Sequence, residues 1–135
     1  MPVTVRYAVS VYISKTSAEG KELGNQSSEV VVSTMSEGGT WKTYIPPATV
    51  NQELFLPNVA LAKLLVIITN ARDPSCPPAT ISIRRNLITA EEIAIVPISP
   101  AKEGHLLLST EGLSALYASN AGTEEMEVTV AVAGD

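Results

Sequence analysis

Apolar and polar residues alternate along much of this chain, most clearly at its carboxyl end. Met126, Val128, Val130 and Val132 take every second position, with Glu125, Glu127, Thr129 and Ala131 around them. A period of two places the first set on one face of a β-strand and the second on the other. Upstream, Leu113, Ala115 and Tyr117 alternate with Ser114, Leu116 and Ala118, and Ser119-Asn120-Ala121-Gly122 supplies a turn. The stretch predicts a β-hairpin whose second strand runs almost to Asp135, with Tyr117 in the core-facing phase. A strand so apolar on one side needs another sheet to cover it.

At the other end, Val3, Val5, Tyr7, Val9, Val11 and Ile13 alternate with Thr4, Arg6, Ala8, Ser10, Tyr12 and Ser14. They predict one strand of roughly 35 Å, at ~3.3 Å per residue. Lys15 to Ser28 lacks any apolar period and reads as a mobile surface loop. Glu29 to Met35 predicts a short strand ended by a turn at Ser36-Glu37-Gly38-Gly39. Trp41 to Ile45 predicts another, stopped by Pro46-Pro47, which cannot donate to a ladder.

Val50 to Leu56 follows as a strand with Val50, Leu54 and Leu56 on one face, and Pro57-Asn58 opens a turn. The β-branched run Val66-Ile67-Ile68-Thr69 makes Ala60 to Ile68 a buried strand in spite of a helix-compatible start. Asn70 to Ala79 is the strongest breaker cluster. Thr80 to Arg84 alternates again, and Arg85 to Glu92 allows one helical turn behind Thr89-Ala90-Glu91-Glu92. Ile93 to Ile98 returns to strand, interrupted by Pro97 and closed by Pro100. Leu106 to Leu108 comes next, then a turn at Ser109-Thr110-Glu111-Gly112.

Eight to ten short strands spaced by Gly, Pro and Asn turns point to an all-β sandwich or barrel rather than to βαβ units. The expectation is one domain over residues 1–135, an antiparallel β-sandwich of jelly-roll-like form. Strand order does not follow from the pattern.

Composition narrows the function classes. With 45% apolar residues, 135 residues build a core without a disulfide or structural metal. Cys76 is the single cysteine, so an internal disulfide and a multi-thiolate zinc site are excluded, and a passive thiol is expected. A net charge of −5, with Arg84-Arg85 the one adjacent basic pair, argues against nucleic-acid binding. The amino terminus reads as neither signal peptide nor membrane span, and no stretch reaches ~20 uninterrupted apolar residues.

No catalytic grammar emerges. His105 is the lone histidine, and its neighbourhood lacks the glycine-elbow pattern around Ser109 that a hydrolytic triad would need. Glu91-Glu92 and Glu124, Glu125 and Glu127 are the carboxylates to test for a glycosidase pair, but they read as solvated charges on polar faces. Gly38-Gly39 reads as a turn, not a phosphate cradle. The aromatics Tyr7, Tyr12, Trp41, Tyr44, Phe55 and Tyr117 form no evident sugar-stacking row. A non-enzymatic protein without catalytic, cofactor-binding or metal residues is expected.

The runs LLVIITNA, TISIRRN and LLLSTEGLSALYASNAGTEEMEVTVAVAGD resemble small all-β virion proteins of tailed bacteriophages. The likeness is carried by Leu113 to Asn120 and by Val128 to Asp135, and extends loosely from about Trp41. Within that group, a compact, acidic, enzyme-free β domain is most similar to a capsid decoration, or cement, protein. The resemblance implies a structural protein on the capsid exterior, made in the host cytoplasm, that stabilises contacts between subunits of the major capsid protein. It implies a homo-oligomer, dimer or trimer, with no nucleic-acid or membrane partner. The open first and last strands, the Lys15 to Ser28 loop and the Ala71 to Pro78 loop are the candidate contact arms. The alternative is a carbohydrate- or receptor-binding β domain of a phage tail or adhesin.

Overall fold

Alternating side chains from two antiparallel sheets meet in one apolar core. The computed structural model describes residues 3–7, 10–13, 24–27, 31–35, 37–56, 61–98 and 102–134. Among them are twelve strands and no helix. Four strands near the amino terminus form two-stranded ladders: β1 (Val3–Tyr7) with β4 (Val31–Met35), and β2 (Ser10–Ile13) with β3 (Gly24–Ser27). The other eight are β5 (Glu37–Ile45), β6 (Thr49–Leu54), β7 (Ala62–Ala71), β8 (Ile81–Arg85), β9 (Ile93–Ile95), β10 (Gly104–Leu113), β11 (Leu116–Asn120) and β12 (Met126–Gly134). They build one sheet in the order β10-β7-β12-β5 and a second in the order β6-β11-β8-β9, with antiparallel neighbours throughout.

The first sheet contributes Ile45, Leu65, Ile67, Leu113, Met126, Val128 and Val130 to the core. The second contributes Leu54, Ile81, Ile83, Ile95, Leu116 and Ala118. Fully burying a Val, Leu or Ile side chain stabilises by ~1.5–3 kcal/mol, so these rows hold the layers together. Met126, Val128, Val130 and Val132 are all buried, as their period of two requires. Beyond Val132 the alternation stops, and Ala133 and Gly134 are buried as well.

The terminal hairpin is corrected. β11 pairs with β6 and β8, whereas β12 pairs with β5 and β7, so Ala121 to Glu125 crosses between sheets. Asn120 holds that corner from inside. Its Nδ2 donates to Ile45 O at 3.0 Å and to Glu124 O at 2.8 Å, and its Oδ1 accepts from Gly122 N at 2.9 Å. A side chain replaces the ladder partners that the backbone loses there. The phase of β11 also differs from expectation: Leu116, Ala118 and Asn120 point inward, leaving Tyr117 half-buried on the outer face.

Irregular backbone accounts for other departures. Asn51 adopts φ 51°, the register between β6 and β11 shifts there, and Val50 is turned out to 76% exposure. Ser109 to Gly112 lies inside β10 instead of closing it, and the extra length is absorbed as a register shift between Ser109 and Leu113, with Gly112 at φ 70°. Gly38-Gly39 is no turn either, since both residues pair along β5 with Ala133 and Val132. Residues 86–92 form turns with Asn86 at φ 66°, not a helical turn. The Asn86 side chain explains this. Its Oδ1 accepts from Ser114 N at 2.8 Å while Nδ2 donates to Gly112 O at 2.9 Å, tying the loop to the β10–β11 connection.

The expected 35 Å first strand is resolved as β1 and β2, which have different partners, and Ala8 and Val9 lie outside the described residues. Tyr7 faces Val31, and the same register would set Ser10 against Ser28, yet Ser10 faces Ser27. The two ladders are thus offset by one residue. Within the expected Lys15 to Ser28 loop, Gly24–Ser27 is strand β3, and residues 15–23 and 28 lie outside the described residues. Pro57-Asn58 and Pro100 lie outside them too.

Candidate functional site

Breakers at both ends of 70–79 force the chain out of β7 and into β8, and the loop they create is the best-defined of the candidate contact arms, whereas the last strand, β12, is paired on both sides and offers no open edge. Arg72 anchors its start. The Arg72 backbone N donates to Glu125 O at 3.1 Å, and Nη1 pairs with Glu125 Oε1 at 2.9 Å. The guanidinium also lies over the Tyr44 ring, 4.4 Å from its centroid. One residue thus joins the β7–β8 loop to β5 and to the β11–β12 crossover. Such a cation–π contact at a partly exposed site contributes ~0.5–1 kcal/mol.

The tip is fixed locally. Asp73 Oδ1 accepts from Ser75 N at 2.9 Å and Ser75 Oγ at 2.8 Å, and Asp73 O accepts from Cys76 N at 3.0 Å. These bonds to Ser75 hold the Asp73 carboxyl below its ordinary range. At the far end Ala79 N donates to Met126 Sδ at 3.3 Å, and a Cβ on Gly122 would stand 2.4 Å from Ala79 Cβ. The crossover glycine is what lets the two loops touch.

Cys76 sits between these loops, half-buried. Desolvation first, then its hydrogen bond to Glu124 and the charges of Glu124 and Asp73, push its thiol above the ordinary cysteine value. Thiol nucleophiles are activated in the opposite direction. The chemistry of this end is therefore that of a stiff polar surface: an arginine, three carboxylates and prolines on a loop tied at both ends.

The remaining candidates are dispersed. Glu92 pairs with Arg84 Nη2 at 2.8 Å, while Arg84 Nε donates to Ala90 O at 2.9 Å and Nη1 to Asn51 Oδ1 at 2.8 Å. That guanidinium braces the outer face of the second sheet. Glu127 pairs with Lys42 at 3.1 Å on the outer face of the first. Glu92 and Glu125 lie toward opposite ends of β8 and do not converge. His105 is exposed on β10, its Nε2 3.1 Å from Glu103 Oε2. Ser109 lies four residues along the same strand, ~13 Å at ~3.3 Å per residue, beyond any hydrogen bond.

The described aromatics do not line up in a row. Trp41 and Phe55 meet edge to face at 6.3 Å between centroids, and Tyr44 is covered by Arg72. Among the described residues no group of three His, Cys, Asp or Glu side chains is placed to hold a metal ion. The Arg72–Tyr44–Glu125 contact and the Asn86 staple escaped sequence reasoning, because each joins residues far apart in the chain. The only local signal was the breaker cluster itself. No protein-family model, curated protein or solved structure matches the chain.

Proposed function

We propose that this chain is a structural virion protein that binds the outer surface of an icosahedral phage capsid and stabilises contacts between subunits of the major capsid protein. One observation carries the reading. From β5 onward, successive strands fall in the first sheet, the second, the first, the second twice, the first, the second and the first. That alternation supports a jelly-roll reading of the sandwich, an architecture that viral capsid domains share with lectins. The step from architecture to role is an analogy of fold, joined to the resemblance of the carboxyl-terminal half to phage virion proteins.

The role asks for a stiff scaffold with fixed contact loops, and the 72–80 loop, tied at both ends, meets that demand. A decorating oligomer engages several coat subunits at once on an expanded lattice, so effective concentration multiplies individually weak contacts. Free coat protein offers one contact at a time. Purified chain mixed with expanded shells that lack it should co-sediment at a saturating, symmetry-related copy number and raise their disruption temperature. Failure to co-sediment, with binding to glycans or host-cell surfaces instead, overturns this reading in favour of a receptor-binding domain, for which the same architecture is also used.

A further inference from the structure

Each four-stranded sheet has two edges, and three of the four are blunted. β6 is broken by its register shift, with Ala48 and Asn51 both at positive φ. β9 is three residues long and is followed closely by Pro97. β10 keeps regular pairing only from Gly104 to Ser109 before its own shift. β5 is different. Its nine residues pair with β12 without a break, and its other side has no ladder partner among the described residues. Proteins usually guard such an edge with a bulge, a proline or a lysine held out over it. The one lysine of β5, Lys42, is instead drawn back onto Glu127 of β12, 3.1 Å away.

We propose that β5 is the pairing edge for a second copy of this chain, β5 against β5 about a two-fold axis at Trp41, joining two sheets into one of eight strands. The register follows from chemistry. In an antiparallel two-fold pair of identical strands, facing residues share a parity, so the axis passes through a residue. An axis at Lys42 sets two ammonium groups opposite each other, which destabilises a ladder. An axis at Thr40 leaves Tyr44 and Ile45 unpaired, and an axis at Thr43 leaves Glu37 to Thr40 unpaired. The axis at Trp41 pairs all nine residues, Glu37 with Ile45 at each end, and Pro46 of each copy bounds it. It sets Lys42 opposite Thr40, and Tyr44 opposite Gly38, an aromatic residue across from an edge glycine. At its centre, the buried Trp41 Nε1 has no hydrogen-bond partner among the described residues. A buried donor left this way is costly, and a second strand along this edge brings backbone carbonyls to its side.

The inference stands apart from the virion reading, because it concerns the chain in solution without any capsid. Its test is sedimentation equilibrium across a dilution series, on the native chain and two variants of the exposed Thr40. Thr40→Lys sets a lysine opposite Lys42 twice per dimer, and Thr40→Glu sets a carboxylate there. The native chain should be a dimer, the lysine variant should dissociate more readily, and the glutamate variant less so. The two variants should differ about tenfold in dissociation constant, with unchanged circular dichroism. A chain that stays monomeric at every concentration overturns the proposal. So does a dimer that responds alike to both variants, since its interface would lie elsewhere.

Discussion

Asn120 reaches across the sandwich to Ile45: its amide donates to the Ile45 carbonyl at 3.0 Å, joining the end of β11 to the end of β5. The residue is fully buried, and each polar atom of its side chain has a partner. Asn120→Ala leaves the carbonyls of Ile45 and Glu124 and the amide of Gly122 without theirs. The expected loss is about 3 kcal/mol in a urea melt, well above the ~1 kcal/mol of a single exposed hydrogen bond. A loss below 1 kcal/mol would mean that water replaces the side chain and that the corner is not built as described.

Val130 and Thr129 are neighbours with opposite fates. Val130 is fully buried, and Val130→Asp should prevent folding, because an unpaired charge in the core costs several kcal/mol. Thr129 looks outward from β12, opposite Lys42 and Ile68. Thr129→Asp should cost about 1 kcal/mol, a β-propensity effect partly offset by Lys42. Equal destabilisation of the two variants in denaturant would reject the assignment of faces.

Gly134 and Gly112 are needed for different reasons. A Cβ on Gly134 would meet Leu61 O at 2.2 Å and Ala62 Cα at 2.9 Å, both backbone atoms that cannot swing aside. Gly112 has open space around it but sits at φ +70°. Gly112→Ala should lower stability by about 1 kcal/mol through backbone strain. Gly134→Ala should cost more, and also loosen the pairing of β12 with β7, read as faster amide exchange at Ala62 to Leu65. If Gly112→Ala proves the more damaging, backbone conformation outweighs close approach at these sites.

The Cys76 thiol should react slowly with iodoacetamide near neutral pH, because only the thiolate attacks and its pKa is raised. Glu124 accepts a hydrogen bond from the thiol and adds negative potential, so Glu124→Gln should increase the thiolate fraction and speed alkylation. The pH–rate profile should move toward lower pH. An unchanged profile would show that Glu124 does not contribute to the raised pKa.

Local alternation was enough to establish the β class, the buried face of β12 and the stop of β5 before Pro46-Pro47. A period of two and a missing amide donor act within a few residues, so both are legible in one dimension. Breakers likewise located the 72–80 loop, though not the Arg72 contacts that fix it. Tertiary structure decided which strand each strand accompanies. The pattern of residues 113–134 suits a hairpin as well as a crossover, and the crossover prevails because β11 and β12 each find two long-range partners in different sheets. Phase was decided by tertiary structure too, at Tyr117 by the passage from β10 in the first sheet to β11 in the second, and at Val50 by a register shift. A register shift turns every later side chain to the other face, and a shift forms only where a partner strand accommodates it. Gly38-Gly39 is strand rather than turn for the same reason: Ala133 and Val132 pair with residues whose own preference favours a turn.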